Sequence, residues 1–249
     1  MIWQAGTVAD SSANPTPRAA GARERARAEV RNEILAAARA RVAVDGAAGL
    51  SLRAVARDVG MVSSAVYRYF AGRDELLTAL IIDAYDTLGE LTERSAASTR
   101  RLRPLERWVT AALTIRTWAV EHPHDHALLY GSPIPGYAAP ADTVVPGTRV
   151  SRALLGIVHD AVADGRMARD AVPEAPRLSR ATKQAFATLR AELDLEASDA
   201  QVLAVVNAWT QLFGLVSFEV FGQTRGLIDD HEAFTRESAT AMATRIGLT

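Results

Sequence analysis

The side chains best suited to chemistry crowd into one stretch between Ser51 and Arg73. In Ser63-Ser64-Ala65-Val66-Tyr67-Arg68-Tyr69-Phe70, helical spacing groups Val66 with Phe70 and leaves Ser63, Ser64, Tyr67 and Arg68 on the other side. A guanidinium can bond guanine O6 and N7 together, and hydroxyls reach base edges or phosphates. Short polar groups around an arginine therefore suit a nucleic-acid groove better than a reaction. A second cluster, His122, His124, Asp125 and His126, invites a metal ion. Pro123 separates His122 from the others, the chain has no cysteine, and no HExxH occurs, so no metal is expected. GxSxG, P-loop and GxGxxG patterns are missing, and the carboxylates form no evident acid–base pair. No catalytic residue and no cofactor are expected, and the chain does not read as an enzyme.

Helices must position those groups. Of 249 residues, 49% are hydrophobic and 23% charged, a globular balance with enough chain for a sizeable core. Alanine fills 48 positions, which favours helix throughout, and no alternation of period two persists. The expected fold is all-α, about nine to ten helices: a three-helix helix-turn-helix head followed by a helical body. Helices at about 24–44, 52–59 and 63–70 make the head, with Asp45-Gly46 and Gly60 as stops. A long helix from Asp74 to about Ser98 leads into the body. Further helices are expected at 104–121, 124–130, 149–164, 179–193, 199–221 and 230–246, around a Pro/Gly-rich loop at 131–147. Residues 1–21 read as a flexible arm, 22–72 as the DNA-binding head and 73–249 as the body.

Charge divides along the same line. The net charge is −1, yet residues 18–73 carry eleven arginines against five acidic residues, and residues 74–249 carry 17 basic against 23 acidic groups. A basic head on an acidic body suits phosphate binding by the head alone. No apolar run approaches the roughly 20 residues that cross a bilayer. The opening Met1-Ile2-Trp3-Gln4 also lacks a signal-peptide pattern. With no cysteine, these features predict a cytoplasmic protein without a membrane partner.

Leu50–Leu77, above all Gly60-Met61-Val62-Ser63-Ser64-Ala65-Val66-Tyr67-Arg68-Tyr69-Phe70-Ala71-Gly72-Arg73-Asp74-Glu75-Leu76, resembles the DNA-binding head of the TetR family of bacterial transcription regulators. Gly46, Ser51, Val55-Ala56, Gly60, Tyr67, Tyr69-Phe70, Arg73 and Leu76 carry the resemblance. It implies double-stranded operator DNA as partner, with Ser63, Ser64, Tyr67 and Arg68 facing the groove. Tyr69 and Arg73 would then contact phosphate, with Ser51 and Arg53 nearby. Packing against the first helix competes for Tyr67 and Tyr69, and a solvated charge is the rival reading of Arg73. The arginines of the arm region (Arg18, Arg23, Arg25, Arg27) read mainly as solvated charges. Two departures stand out. Val62 replaces a frequent Ser or Thr, which is expected to move capping to Ser63 or Ser64. Gly72 replaces a frequent Ser or Asn cap, at an expected cost of only a few tenths of a kcal/mol.

Trp118, His122-Pro123, Leu128-Leu129-Tyr130-Gly131-Ser132-Pro133 and Pro135-Gly136-Tyr137 are similar to a TetR body type marked by Trp, His and Gly. This implies a homodimer with a pocket for a small-molecule effector. Trp108, Ile115, Trp118, Leu129, Tyr130, Phe186 and Trp209 are candidate lining residues, although each would serve equally well as core. Along 199–221, Val202, Val205, Val206, Trp209, Leu212, Phe213 and Val216 form one stripe, and Leu203, Leu215, Phe218 and Phe221 a second. A helix apolar on two sides needs two partners. The expected subunit interface is Val202, Val206, Trp209, Phe213 and Val216, with Phe234 and Met242 from the last helix. The function expected is a dimeric repressor released from a near-palindromic operator by an effector. An effector-independent DNA-binding dimer, and a helical small-molecule module without specific DNA binding, stand as alternatives.

Overall fold

The computed structural model describes residues 17–168, 172, 176–193 and 196–249, and over these residues ten α-helices follow one another with no β-strand. The head comprises α1 (Pro17–Asp45), α2 (Leu52–Asp58), α3 (Ser63–Val66) and the first turns of α4 (Arg73–Ser98). Helix α1 starts at Pro17, earlier than expected, so only residues 1–16 of the expected arm lie outside the described residues. Proline is pre-set for a first helical position, and the alanine-rich run behind it favours continuation. The head core gathers Ile34, Leu35, Ala38 and Val42 of α1, Val55 of α2, Val66, Phe70, and Leu76, Leu77 and Leu80 of α4.

The body holds a second core. Helix α4 packs on α7 (Val144–Ala163), and α5 (Pro104–Glu121) on α10 (His231–Ile246), with α9 (Asp199–Val220) packed against both α5 and α10. Trp108, Ile115, Leu154, Ile157, Leu212 and Met242 are fully enclosed there. Helix α7 begins at Val144, so Pro146 and Gly147 belong to the helix rather than to the expected loop. Pro146 sits in the first turn, where a missing N–H removes no intrahelical bond. The α4–α7 crossing is close: a Cβ on Gly89 would lie 2.7 Å from the Arg149 Cβ. Arg149 spans that crossing and bonds Asp86 at 2.7 Å and Glu93 at 2.6 Å.

Helix α9 is the one described helix long and apolar enough to cross a membrane by length and composition, contrary to the expectation that no run approaches that length. Its second apolar side accounts for this. One side closes the body core, while Phe218, 57% exposed, stands on another. Arg116 also grips Glu219 of α9 with two bonds of 2.6 and 2.8 Å, fixing the helix against α5. The small α6 (Pro123–Tyr130) touches both head and body, contacting α1, α4, α5 and α9, and α8 (Arg180–Leu193) packs on α9.

Candidate nucleic-acid interface

Glycine sets the angle between α2 and α3. Gly60 has φ 66°, its N–H bonds Arg57 O at 3.2 Å, and the Met61 N–H reaches Ala56 O at 2.8 Å. This pair of bonds closes the carbonyl end of α2, and only the left-handed residue makes it possible without a Cβ penalty. Helix α3 is shorter than expected. After Val66 the chain tightens into turns, with Arg68 N–H on Ala65 O and Tyr69 N–H on Val66 O. Val66 and Phe70 still point inward, both with no exposed surface.

The outer side of this segment carries Ser63, Ser64, Tyr67 and Arg68 together. Ser64, Tyr67 and Arg68 are exposed and Ser63 is half-buried. The residue capping α3 is Val62, and no side chain caps its amides; the serines occupy the first two helical positions instead of the cap. Val62 is 71% exposed at the tip of α3.

The remaining expected contacts are placed differently. Ser51 precedes α2 in extended conformation and Arg53 lies in its first turn, both exposed. Tyr69 is half-buried on the head core, with the Arg27 guanidinium 5.9 Å above its ring. Arg73 donates from Nη2 to Ala47 O at 3.0 Å and Ala48 O at 3.3 Å, tying the start of α4 to the turn after α1. That anchoring leaves a smaller share of the guanidinium for phosphate than Arg68 offers. Gly72 caps α4 without a side chain, as expected, and the Glu75 carboxylate compensates by accepting the Ala71 N–H at 2.5 Å. Arg41 on α1 bonds both oxygens of Asp58 on α2, at 2.5 and 2.7 Å, which holds the Asp58 carboxyl below its usual range. The exposed side chains of the α3 segment therefore stand on a cross-braced frame.

Residues 34–80 match the family description "Bacterial regulatory proteins, tetR family", and residues 108–242 match "Tetracyclin repressor-like, C-terminal domain". The chain belongs to the TetR family. It is 41% identical over 206 residues to the HTH-type transcriptional regulator Rv1816 of Mycobacterium tuberculosis, a match spanning 82% of this chain and 86% of that protein. The crystal structure of the protein SCO4313 superposes with a TM-score of 0.68 at 32% identity, covering 88% of this chain and 97% of that one. A TetR family regulator from Thermus thermophilus, PfmR, shares the fold with a TM-score of 0.56 at 16% identity, covering 84% of this chain and 96% of its own. As a TetR regulator the protein binds DNA through this head and controls transcription; it is not an enzyme.

Behind the TetR head, α6 is held from two directions. Asp125 accepts the Arg39 Nε–H of α1 at 2.9 Å, and the same guanidinium reaches Asp83 of α4 at 2.6 Å. The next residue, His126, has no exposed surface and places Nε2 3.0 Å from the Ser217 hydroxyl of α9. His122 stacks on Trp118 at 5.7 Å between ring centres. The histidine cluster is thus divided among separate partners, and among the described residues no group of three potential ligands could hold a metal. Burial pushes the His126 imidazole down to about 4 from its ordinary 6.5. The unfolded chain takes up a proton below pH 6.5 that the folded site refuses until about pH 4, so stability is lost as the pH is lowered through that window. We expect His126 to cost the protein about 2 kcal/mol between pH 7 and pH 5, read from urea midpoints. His126→Phe should flatten that component of the pH profile.

The residues expected to line an effector pocket do not all converge. Trp108 and Trp209 border one cavity, whereas Leu129 borders another, with Tyr85, Ile134 and Tyr137. Ile115 and Trp118 are closed within the core, Phe186 is buried on α8, and Tyr130 stacks on Phe213 at 4.6 Å. The expected subunit interface needs correction. Val202, Phe213, Val216 and Met242 lie in the protomer's own core and have almost no surface to offer a partner. Val206 is half-buried, while Trp209 and Phe234 face outward. The outer apolar side of α9 is the second stripe, where Leu215 and Phe218 border a groove with Leu227 and Phe234.

Proposed function

We propose that the protein is a cytoplasmic, dimeric TetR repressor that leaves a near-palindromic operator when a small-molecule effector binds its body. The observation that supports release is the Arg39 bridge. One guanidinium joins the head to α4 through Asp83 and to α6 through Asp125. An effector that prefers a shifted α6 would therefore bias where the head sits, by no more than its differential affinity for the two states. The outward stripe of Leu215, Phe218 and Phe234 supports a two-fold partner, because isolated soluble chains seldom leave such aromatics in solvent together.

Fluorescence anisotropy tests this reading. Purified protein is titrated against DNA from upstream of its own gene and against a shuffled control at physiological salt. A preference of about 10³-fold or more with two subunits per site supports it. Equal, weak and steeply salt-dependent binding to both would overturn the specific-repressor reading. The bridge has its own test. Arg39→Ala touches no groove-facing residue, yet we expect operator affinity to fall about fivefold or more. Amide exchange in α6 should quicken at the same time. Unchanged exchange would remove α6 from the path.

A further inference from the structure

Helix α1 runs on past the core that it helps to build. Its inner side is apolar where it meets the head, with Ile34, Ala38 and Val42 buried. From Arg31 outward the same side carries an arginine at every fourth residue, Arg31, Arg27 and Arg23, all exposed. The Arg31 guanidinium lies 5.0 Å from the centre of the Phe70 ring, and the Arg27 guanidinium 5.9 Å from that of Tyr69. Tyr69 and Phe70 directly follow Arg68, so the row passes over the tail of the segment that carries Ser64, Tyr67 and Arg68. Stacking occupies the flat side of a guanidinium, while its N–H groups lie in the plane and stay available to an oxyanion. Arg39 and Arg41, further along the same helix, are taken up by Asp83, Asp125 and Asp58. Among the described residues, Arg23, Arg27 and Arg31 pair with no carboxylate. Glu29 and Glu33 fall by helical spacing on the opposite side of α1, and Glu24 stands at the flank of the row.

We infer that Arg23, Arg27 and Arg31 form a second DNA surface of the head, which binds backbone phosphates beside the α3 segment and reads no base. At 1.5 Å per residue the row spans about 12 Å of α1. A line of arginines supplies charge without the mixed donors and acceptors that tell bases apart. The two aromatic rings hold two of the guanidiniums in place before DNA arrives, which lowers the cost of ordering them on binding. The same arrangement accounts for Tyr69. Its hydroxyl was expected on phosphate, yet the side chain is half-buried on the core, and Arg27 above it supplies the positive charge that a phosphate attracts. The inference rests on DNA binding by the head and on neither the dimer nor the effector.

Anisotropy titrations of the full chain over a range of salt concentrations test it, on upstream DNA and on shuffled duplex. Replacing all three arginines (Arg23→Gln, Arg27→Gln and Arg31→Gln together) should weaken binding to both DNAs alike and leave their ratio unchanged. Each lost phosphate contact lowers the salt slope by about 0.9, so the slope should fall by about two to three units per head. At 0.1 M salt that corresponds to an affinity loss of about 10²-fold or more. The matching lysine variant keeps the charges and should keep the slope. Arg25 is exposed on the other side of α1, so Arg25→Gln removes the same charge and should cost far less than Arg27→Gln. If circular dichroism shows the triple variant unfolded, Arg23→Gln alone, one turn beyond the stacked pair, should still lower the slope by about 0.9 per head. An unchanged slope, a loss from Arg25→Gln equal to that from Arg27→Gln, or a loss that the lysines fail to restore overturns the inference. So does a fall confined to upstream DNA, which would place the row in sequence reading. The slope on shuffled duplex reports on the row whether or not the protein prefers the upstream DNA, so this inference and the specific-repressor reading fail separately.

Discussion

Arg68→Ala lowers operator affinity by about 30-fold to 10⁴-fold without loss of stability. Arg68 is exposed on the outer side of the α3 segment, beside Ser64 and Tyr67. A bidentate arginine–guanine pair is worth about 1–3 kcal/mol of discrimination. The proposed two-fold dimer would present the residue twice, so about 2–6 kcal/mol disappears with one substitution. Removing an exposed side chain away from caps and core changes stability by about 0.5 kcal/mol at most. Anisotropy titrations at several salt concentrations identify the kind of contact. If Arg68 reads a base, specificity at one position of each half-site relaxes and the salt slope barely moves. If it neutralises phosphate, affinity falls for all sequences and the slope drops by about one unit per head. Arg53→Ala, in the exposed first turn of α2, should follow the phosphate pattern.

Phe70→Ala should melt the head and spare the body. The ring has no exposed surface and is packed with Val66, Leu76 and the apolar face of α1, while the Arg31 guanidinium lies 5.0 Å above it. Truncating a buried phenylalanine costs about 3–5 kcal/mol. A small core has no larger reserve to draw on, since whole domains retain only about 5–15 kcal/mol. The head core meets the body core chiefly along α4, so the loss should stay local. Hydrogen exchange would show protection lost in α1–α3 and kept in α5, α7, α9 and α10, and operator binding would disappear. Uniform loss across both cores would mean that head and body unfold as one unit.

Much of the head was legible because its signals are local. The pairing of Val66 with Phe70, the stop at Gly60 and the cap at Gly72 depend on neighbours a few residues away, and the structure places all three accordingly. Partners distant in sequence were not legible. Arg39 meets Asp125 across 86 positions, and Arg73 meets the carbonyls of Ala47 and Ala48, which no periodicity encodes. Helix α9 shows a different limit. Its two apolar stripes were both visible, but spacing does not say which one the protomer's own core takes. The core took Val202, Phe213 and Val216, leaving Phe218 outside. The start of α7 was misplaced because Pro146 and Gly147 look like loop, although proline is tolerated in a first turn. In the body, large aromatics mark core and pocket alike. Trp108 is both at once: it is enclosed in the same core as Ile115 and Trp118, and it borders a cavity with Trp209.

Selection of bound sequences from a random DNA pool tests the central claim most directly, that two TetR heads read DNA as a symmetric pair. The wild-type chain should enrich an inverted repeat whose half-site centres lie about 34–36 Å apart, or a multiple of that, and Arg68→Ala should lose one conserved position in each half. Recovery of DNA with no enriched repeat, or of a single unpaired half-site indifferent to Arg68, would contradict it.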